Sequence, residues 1–370
     1  MTARPHLARP RPARAPRPAL RTRVVTDLLE RLGRRPVEDS DLDDIRAKRE
    51  TVYPTRAPFT WITGPVGRGV RVETVSAPVR DGARIPLRCY LPAMPGPLPL
   101  LVFFHGGGWV QGSTAMYDPL CSRLAEQVGA VVVSVDYRMA PEHLFPTAAH
   151  DAVDVVSWLV EHGASLPVLA DADLTRVGLA GDSAGGNLGA VVAQQLRDLR
   201  GPDGEPVLRH QALIYPATDL TMSSPSIDEH ADGPVLTRAG ITAFRALYLD
   251  GTLGVREDHR ADPRHRDPLA SPLAGDATGV APALVQAGEL DPLRDDATRY
   301  AEHLAEAGVP VRCTTYRRLP HGFASMPGAC PGADAAHAEL VGEIAHHLHA
   351  SVGSQRPLAV GDAEDQEHAQ

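Results

Sequence analysis

Pro99-Leu100-Leu101-Val102-Phe103-Phe104-His105-Gly106-Gly107-Gly108-Trp109 and Arg176-Val177-Gly178-Leu179-Ala180-Gly181-Asp182-Ser183-Ala184-Gly185 are the two stretches whose reading decides the fold. Each is an apolar, strand-like run that stops abruptly at glycine. The second opens a helix-like segment at Ala184, so it reads as strand, sharp turn and helix with a serine at the turn. Further strand-like runs lie near Val70–Val79, Ile85–Leu91, Ala130–Val135, Ala212–Tyr215, Ala283–Gly288 and Val311–Tyr316. From residue 98 onward they alternate with helix-like segments, which predicts a mostly parallel sheet with helices on both faces. The first two runs have no helix between them and predict an antiparallel edge.

The glycines have a chemical reading. A serine on a strained turn projects its hydroxyl outward, and a side chain at Gly181 or Gly185 would clash with the neighbouring strand or helix. In the other motif, consecutive glycines let backbone N–H groups approach a substrate carbonyl and stabilise the oxyanion that develops on it. Gly106 and Gly107, with the N–H of Ala184, are the expected oxyanion-hole donors. One such motif alone is modest support. Both, in this order and each after a strand, point to an exposed nucleophile facing an oxyanion hole.

The chain resembles the hormone-sensitive-lipase-like (bacterial family IV) esterases of the α/β-hydrolase superfamily. Besides the two glycine motifs, the resemblance rests on Asp136-Tyr137-Arg138-Met139-Ala140-Pro141-Glu142-His143, on Asp291-Pro292-Leu293-Arg294-Asp295 and on His321-Gly322-Phe323. Met139 stands where the family usually has leucine. The resemblance spans about residues 70 to 350. It implies an α/β-hydrolase fold with a mostly parallel eight-stranded sheet, helices on both faces and a helical cap.

It also implies the acid and the base that a serine requires. A hydroxyl is a weak nucleophile until an imidazole removes its proton, and the imidazole needs a carboxylate to fix its tautomer. Ser183, Asp291 and His321 occur in the α/β-hydrolase chain order, and the two later residues lie in loops just after strand-like runs. Glu289 remains an alternative acid, whereas Asp295 and Asp296 fall on a following helix and are expected to point away. His105 is expected to brace its own loop. Asp182 and Glu142 are read as buried carboxylates with supporting roles. No Cys or His spacing resembles a metal site, and no cofactor is expected.

Composition bounds the remaining possibilities. The 370 residues are 43% hydrophobic, and no stretch of 18 apolar residues suggests a membrane span. A net charge of −9 argues against a nucleic-acid partner for the folded part. Residues 1–23 are the exception, with seven Arg, five Pro and no acid, and read as a disordered basic extension; residues 351–370 read as a polar, acidic tail. The Arg/Pro-rich stretch lacks the apolar segment of a secretory signal. Cys89, Cys121, Cys313 and Cys330 show no framework spacing, which fits free thiols and a cytoplasmic location.

Two segments break the strand and helix alternation. Residues 24–69 contain Val24, Val25, Leu28, Leu29 and Leu32 at helical spacing, then Leu42, Ile45 and Val52 after the capping signal Asp39-Ser40-Asp41. Residues 217–261 interrupt the core, and Arg238 to Leu249 is again helical in period. By resemblance these segments form a cap on the catalytic domain of residues 70–350. Phe244, Leu247, Tyr248 and Leu249 are candidates for either pocket lining or cap core.

The expected function is a serine carboxylesterase that hydrolyses short- to medium-chain esters of a small-molecule substrate through an acyl-enzyme, without stable membrane association. The alternative is a deacetylase of an acetylated amine or secondary metabolite using the same triad. A non-hydrolytic binder or dehydratase on the same fold is a weaker reading, opposed by the intact His321-Gly322-Phe323 context. Family members often dimerise, and a homodimer is compatible with this chain.

Overall fold

A computed structural model describes residues 17–31, 35–50, 52, 54–253 and 262–350. Its centre is one sheet of eight strands: β1 (Val70–Pro78), β2 (Arg84–Pro92), β3 (Leu98–Phe104), β4 (Val131–Val135), β5 (Ala172–Asp182), β6 (Leu208–Ile214), β7 (Ala283–Gly288) and β8 (Val311–Tyr316). The spatial order is β1-β2-β4-β3-β5-β6-β7-β8. β1 pairs antiparallel with β2 and β2 antiparallel with β4, while every later pairing is parallel. The expected class, with its antiparallel edge, is the observed one.

β3 and β4 are buried along their whole length because helices cover both faces, which explains why their sequences are unbroken apolar runs rather than alternating ones. Successive side chains nevertheless go to opposite cores. Leu100, Val102 and Phe104 belong to the core shared with α5 (Thr147–His162), α6 (Ala184–Gln195) and α9 (Arg294–Glu306), whereas Leu101 and Phe103 belong to the core shared with α4 (Asp118–Leu124) and α10 (Ala333–His349). Because β3 to β8 run in parallel, the loops following Phe104, Asp182, Ile214, Gly288 and Tyr316 emerge at one edge, which is where such sheets place their sites.

The remaining helices are α1 (Leu20–Arg31), α2 (Leu42–Arg49), α3 (Thr60–Thr63), α7 (Ser226–Glu229) and α8 (Arg238–Asp250). α1 starts at Leu20, so the expected boundary between a basic extension and a helix at residues 23/24 falls inside it. The prolines end at Pro18, and the Thr22 hydroxyl anchors the first turn by donating to the Ala329 carbonyl at 2.8 Å. α2 opens with the expected capping signal: Asp41 accepts from the Asp44 N–H at 2.8 Å, and Asp44 returns the bond to the Asp41 N–H. α8 is capped by Thr237, whose hydroxyl also donates to Glu38 at 2.8 Å and so ties the N-terminal segment to the insert. Residues 1–16, 32–34 with Leu32 of the expected helical spacing, 51, 53, the end of the insert at 254–261 and the tail 351–370 lie outside the described residues.

Candidate active site

β5 delivers Ser183 to the parallel edge, and the chain turns there into α6. Ser183 has φ 54° and ψ −119°, a conformation that a non-glycine residue adopts only under strain. The surroundings fix it. The Ser183 N–H donates to Ile214 O at 2.9 Å, and its carbonyl accepts from the Asn187 N–H at 3.0 Å. A Cβ on Gly185 would lie 1.9 Å from Phe104 O, and one on Gly181 would lie 2.3 Å from Gly185 O. The close approach of strand end and helix start that pushes the serine outward is therefore available only to glycine at these two positions.

The loops after β7 and β8 bring Asp291 and His321 to the same point. His321 Nε2 lies 3.0 Å from Ser183 Oγ, and His321 Nδ1 lies 2.8 Å from Asp291 Oδ2. The other carboxylate oxygen, Oδ1, accepts the Leu293 N–H at 2.8 Å, which holds the plane of the group. Asp291 is fully buried and His321 is 7% exposed. The His321 ring packs against Tyr215 at 4.6 Å between centroids, with Phe323 edge-on behind it. In this chain of contacts an Nδ1–H donates to the carboxylate and leaves the Nε2 lone pair toward the serine hydroxyl, the arrangement that general-base activation needs.

The other acids are spoken for. Glu289 accepts from the Arg318 N–H at 2.7 Å and does not meet the imidazole. Asp295 pairs with Arg294 and accepts from the Ser226 N–H at 2.9 Å. Asp296 is buried and receives the N–H groups of Thr218 and Asp219, so it holds the start of the insert; burial pushes its carboxyl up to about 7.

The oxyanion loop requires a correction. The Gly106 N–H, expected as a donor to substrate, points inward and donates to Asp182 Oδ1 at 2.8 Å and to the Tyr117 hydroxyl at 3.1 Å. Among the described residues the N–H groups of Gly107, Gly108 and Ala184 have no acceptor. Gly107 and Gly108 have φ +122° and +62°, and a Cβ on Gly107 would lie 2.0 Å from Gln111 O. The donor pair that the loop leaves free is thus Gly107 and Gly108, with Ala184 at the first turn of α6. Sequence spacing does not reveal this, because the N–H commitment of Gly106 depends on Asp182, a partner remote in sequence.

Asp182 is the hub beneath this loop. Besides Gly106 it accepts from the Tyr117 hydroxyl at 2.9 Å and the Tyr215 hydroxyl at 3.4 Å. Burial pushes its carboxyl up to about 6, against the lowering effect of Tyr117. His105 braces its own loop: Nδ1 lies 2.8 Å from Gly106 O, the ring stacks on Tyr137 at 4.5 Å, and burial lowers its pKa, which favours the neutral imidazole.

Glu142 is a second correction, because it is not buried. It is about a third exposed and bridges two arginines of α2, Arg46 at 2.9 Å and Arg49 at 2.8 Å. Partial burial acts to raise its carboxyl, yet Arg49 and Arg46 hold it down at about 2. Arg49 also donates to Val110 O at 2.6 Å and to Ala140 O, so this one side chain fastens α2 to the loop following Gly106–Gly108. Sequence spacing had no means of pairing residue 49 with residues 110, 140 and 142. In the insert, Leu247, Tyr248 and Leu249 are buried as cap core. Tyr248 stacks on Trp109 at 4.5 Å, and Phe244 is half-buried with its ring where a Cβ on Gly108 would come within 2.3 Å. Of the four candidates, Phe244 alone adjoins the free donors.

Comparison with known proteins agrees with this geometry. A family model for the alpha/beta hydrolase fold matches residues 101–325. Carboxylesterase NlhH of Mycobacterium tuberculosis is 40% identical over 267 residues, covering 72% of this chain and 79% of that protein. An ethyl acetate hydrolase of Pseudomonas putida is 37% identical over 284 residues, covering 75% and 83%. Among solved structures, a thermostable esterase from Pseudomonas putida superposes with a TM-score of 0.76 at 31% identity, covering 92% of this chain and 100% of that one.

Proposed function

The chain belongs to the α/β-hydrolase family, among its hormone-sensitive-lipase-like carboxylic ester hydrolases, and from that premise we propose which residues act and on what. Ser183 is the nucleophile, His321 the base and then the acid, and Asp291 the group that orients His321. Gly107, Gly108 and Ala184 supply the N–H groups for the oxyanion. The observation that carries this reading is the continuous contact from Asp291 through His321 to Ser183, at 2.8 and 3.0 Å, on a serine with positive φ.

As Ser183 Oγ attacks the ester carbonyl, its proton passes to His321 Nε2, and buried Asp291 stabilises the imidazolium. The carbonyl oxygen gains a negative charge that the three free N–H groups meet, with no reorganisation needed at that moment. His321 then protonates the leaving alkoxide, and the alcohol departs from an acyl-serine. Water enters, loses its proton to the same nitrogen and releases the acid by the reverse sequence.

Acyl chains of short to medium length are the proposed substrates. The Phe244 ring fills the space beside Gly108, which limits the room for a long chain. The relative named as an ethyl acetate hydrolase points the same way. Among the described residues no helix is long and apolar enough to cross a membrane. Free cysteines, three of them buried, fit a reducing compartment such as the cytoplasm.

The test is hydrolysis of p-nitrophenyl esters from acetate to palmitate, with acetanilide beside them and Ser183→Ala as control. Activity that peaks among the short esters and vanishes in the variant supports the reading. Faster turnover of the amide than of any ester would move the assignment to a deacetylase, and activity rising toward palmitate would remove the chain-length limit.

A further inference from the structure

At the sheet edge opposite the active site, three side chains that the hydrolytic machinery does not use come together. His210 lies near the start of β6, and Glu343 and His347 lie one turn apart on α10. His210 is fully buried, and neither of its ring nitrogens has a hydrogen-bond partner among the described residues. Its ring stacks on His347 at 4.5 Å with an interplanar angle of 12°. The Nδ1 of His347 also lacks a partner, and its Nε2 lies 3.9 Å from Glu343 Oε2, too far for a hydrogen bond.

Buried polar atoms are seldom left without partners, and three orphaned imidazole nitrogens around one carboxylate need an account. One donor atom from each residue lies within 4.8 Å of the other two. Donors on a tetrahedral ion at about 2.0–2.2 Å stand roughly 3.3 Å apart. Closing the set takes shifts of about an ångström and a turn of the His347 ring out of its stack on His210, because stacked rings aim their lone pairs along parallel planes; Glu343 and His347, 11% and 15% exposed, border solvent and are the members that would move. Burial favours neutral imidazoles, pushing His210 well down and His347 down to about 4, so their lone pairs are free.

We propose that His210, Glu343 and His347 form a binding site for a divalent transition-metal ion, with Zn²⁺ as the best match to two imidazoles and one carboxylate. Hard cations such as Mg²⁺ and Ca²⁺ prefer all-oxygen sets and are disfavoured here. The rim is accounted for: Arg312 sits 3.5 Å from the other Glu343 oxygen but is itself neutralised by Glu339 at 2.7 Å, and the His346 ring stands 5.0 Å from that of His347. A solvent molecule at the rim completes four ligands. The ion would fasten α10 to β6, far from Ser183, so its role is structural and hydrolysis continues without it. The sequence hid the site because the i,i+4 pair on α10 finds its third member on a distant strand.

The experiment titrates chelator-stripped full-length protein with ZnCl2 against a competing indicator and follows the thermal unfolding midpoint. Glu343→Gln and His347→Asn keep the shape of the half-open side of the cluster. His321→Ala and Cys313→Ser control for binding at the catalytic histidine or the exposed thiol. The expected result is one equivalent bound by the wild type and by both controls, a midpoint raised by Zn²⁺, and affinity reduced roughly tenfold or more in Glu343→Gln and in His347→Asn. No binding to the wild type at about 100 µM Zn²⁺, a smaller loss in either cluster variant, or loss of the equivalent in a control overturns the site.

Discussion

Asp291→Asn is the substitution whose outcome the geometry fixes most tightly. Asn matches Asp in shape, so the loop after β7 has no steric reason to move. The Leu293 N–H reaches Oδ1 at 2.8 Å and can only donate, so the Asn carbonyl must occupy that position. The amide nitrogen then takes the place of Oδ2, 2.8 Å from His321 Nδ1, and donates to it. Nδ1 becomes the acceptor, the ring proton moves to Nε2, and Nε2 presents a hydrogen to Ser183 Oγ across 3.0 Å where a lone pair is required. The serine loses its base without losing its neighbours. The expected fall in kcat is about 10⁴-fold, or about 5 kcal/mol of transition-state stabilisation. KM should change little, because no atom that touches substrate has moved. Steady-state hydrolysis of p-nitrophenyl butyrate, with thermal unfolding to show a native fold, reads both quantities. A variant retaining more than about a tenth of wild-type kcat would refute the tautomer argument. So would an equal loss in Glu289→Gln, whose carboxylate is engaged with the Arg318 N–H.

Three other outcomes follow from the surrounding contacts. The Asp182 carboxyl sits at about 6 in the folded protein against 3.8 ordinarily. Between these values the folded state holds the extra proton, so stability from this group is full at low pH and falls by about 3 kcal/mol as pH rises through about 6. Asp182→Asn should flatten that fall in urea unfolding between pH 4 and pH 8, and parallel pH slopes in the two proteins would contradict it. Arg49→Ala strips donors from Val110 O, Ala140 O and Glu142, and should cost about 1–3 kcal/mol of stability and raise KM more than it lowers kcat; calorimetry and kinetics together check this, and an unchanged KM would detach α2 from the site. Phe244→Ala empties the space beside Gly108 and should shift the acyl-length optimum to longer esters, an outcome that an unaltered p-nitrophenyl ester profile would deny.

Local signals were legible in proportion to how much of their cause is local. β7 and β8 begin and end where the strand-like runs do. β5 extends back from Val177 to Ala172 because polar residues there are satisfied within the segment, as in the Asp173–Arg176 pair at 2.6 Å. Gly181, Gly185 and the serine turn could be read because the steric demand sits inside five residues. Gly106 could not, since its N–H is consumed by a carboxylate on another strand, and Glu142 was misplaced because the arginines that draw it outward belong to the N-terminal segment. The cap is the least legible part for the same reason: Leu247 and Tyr248 look alike in sequence to Phe244, and only packing against Trp109 and Gly108 separates core from pocket wall.

The central claim is that Ser183 alone becomes covalently acylated. Treating wild type and Ser183→Ala with a diethyl p-nitrophenyl phosphate, then measuring intact mass, peptide map and residual esterase activity, tests it directly. The account predicts one phosphoryl adduct per wild-type chain, mapped to Ser183, with activity lost in step with labelling and no adduct in the variant. Inactivation with the label on another residue, or esterase activity surviving in Ser183→Ala, would contradict it.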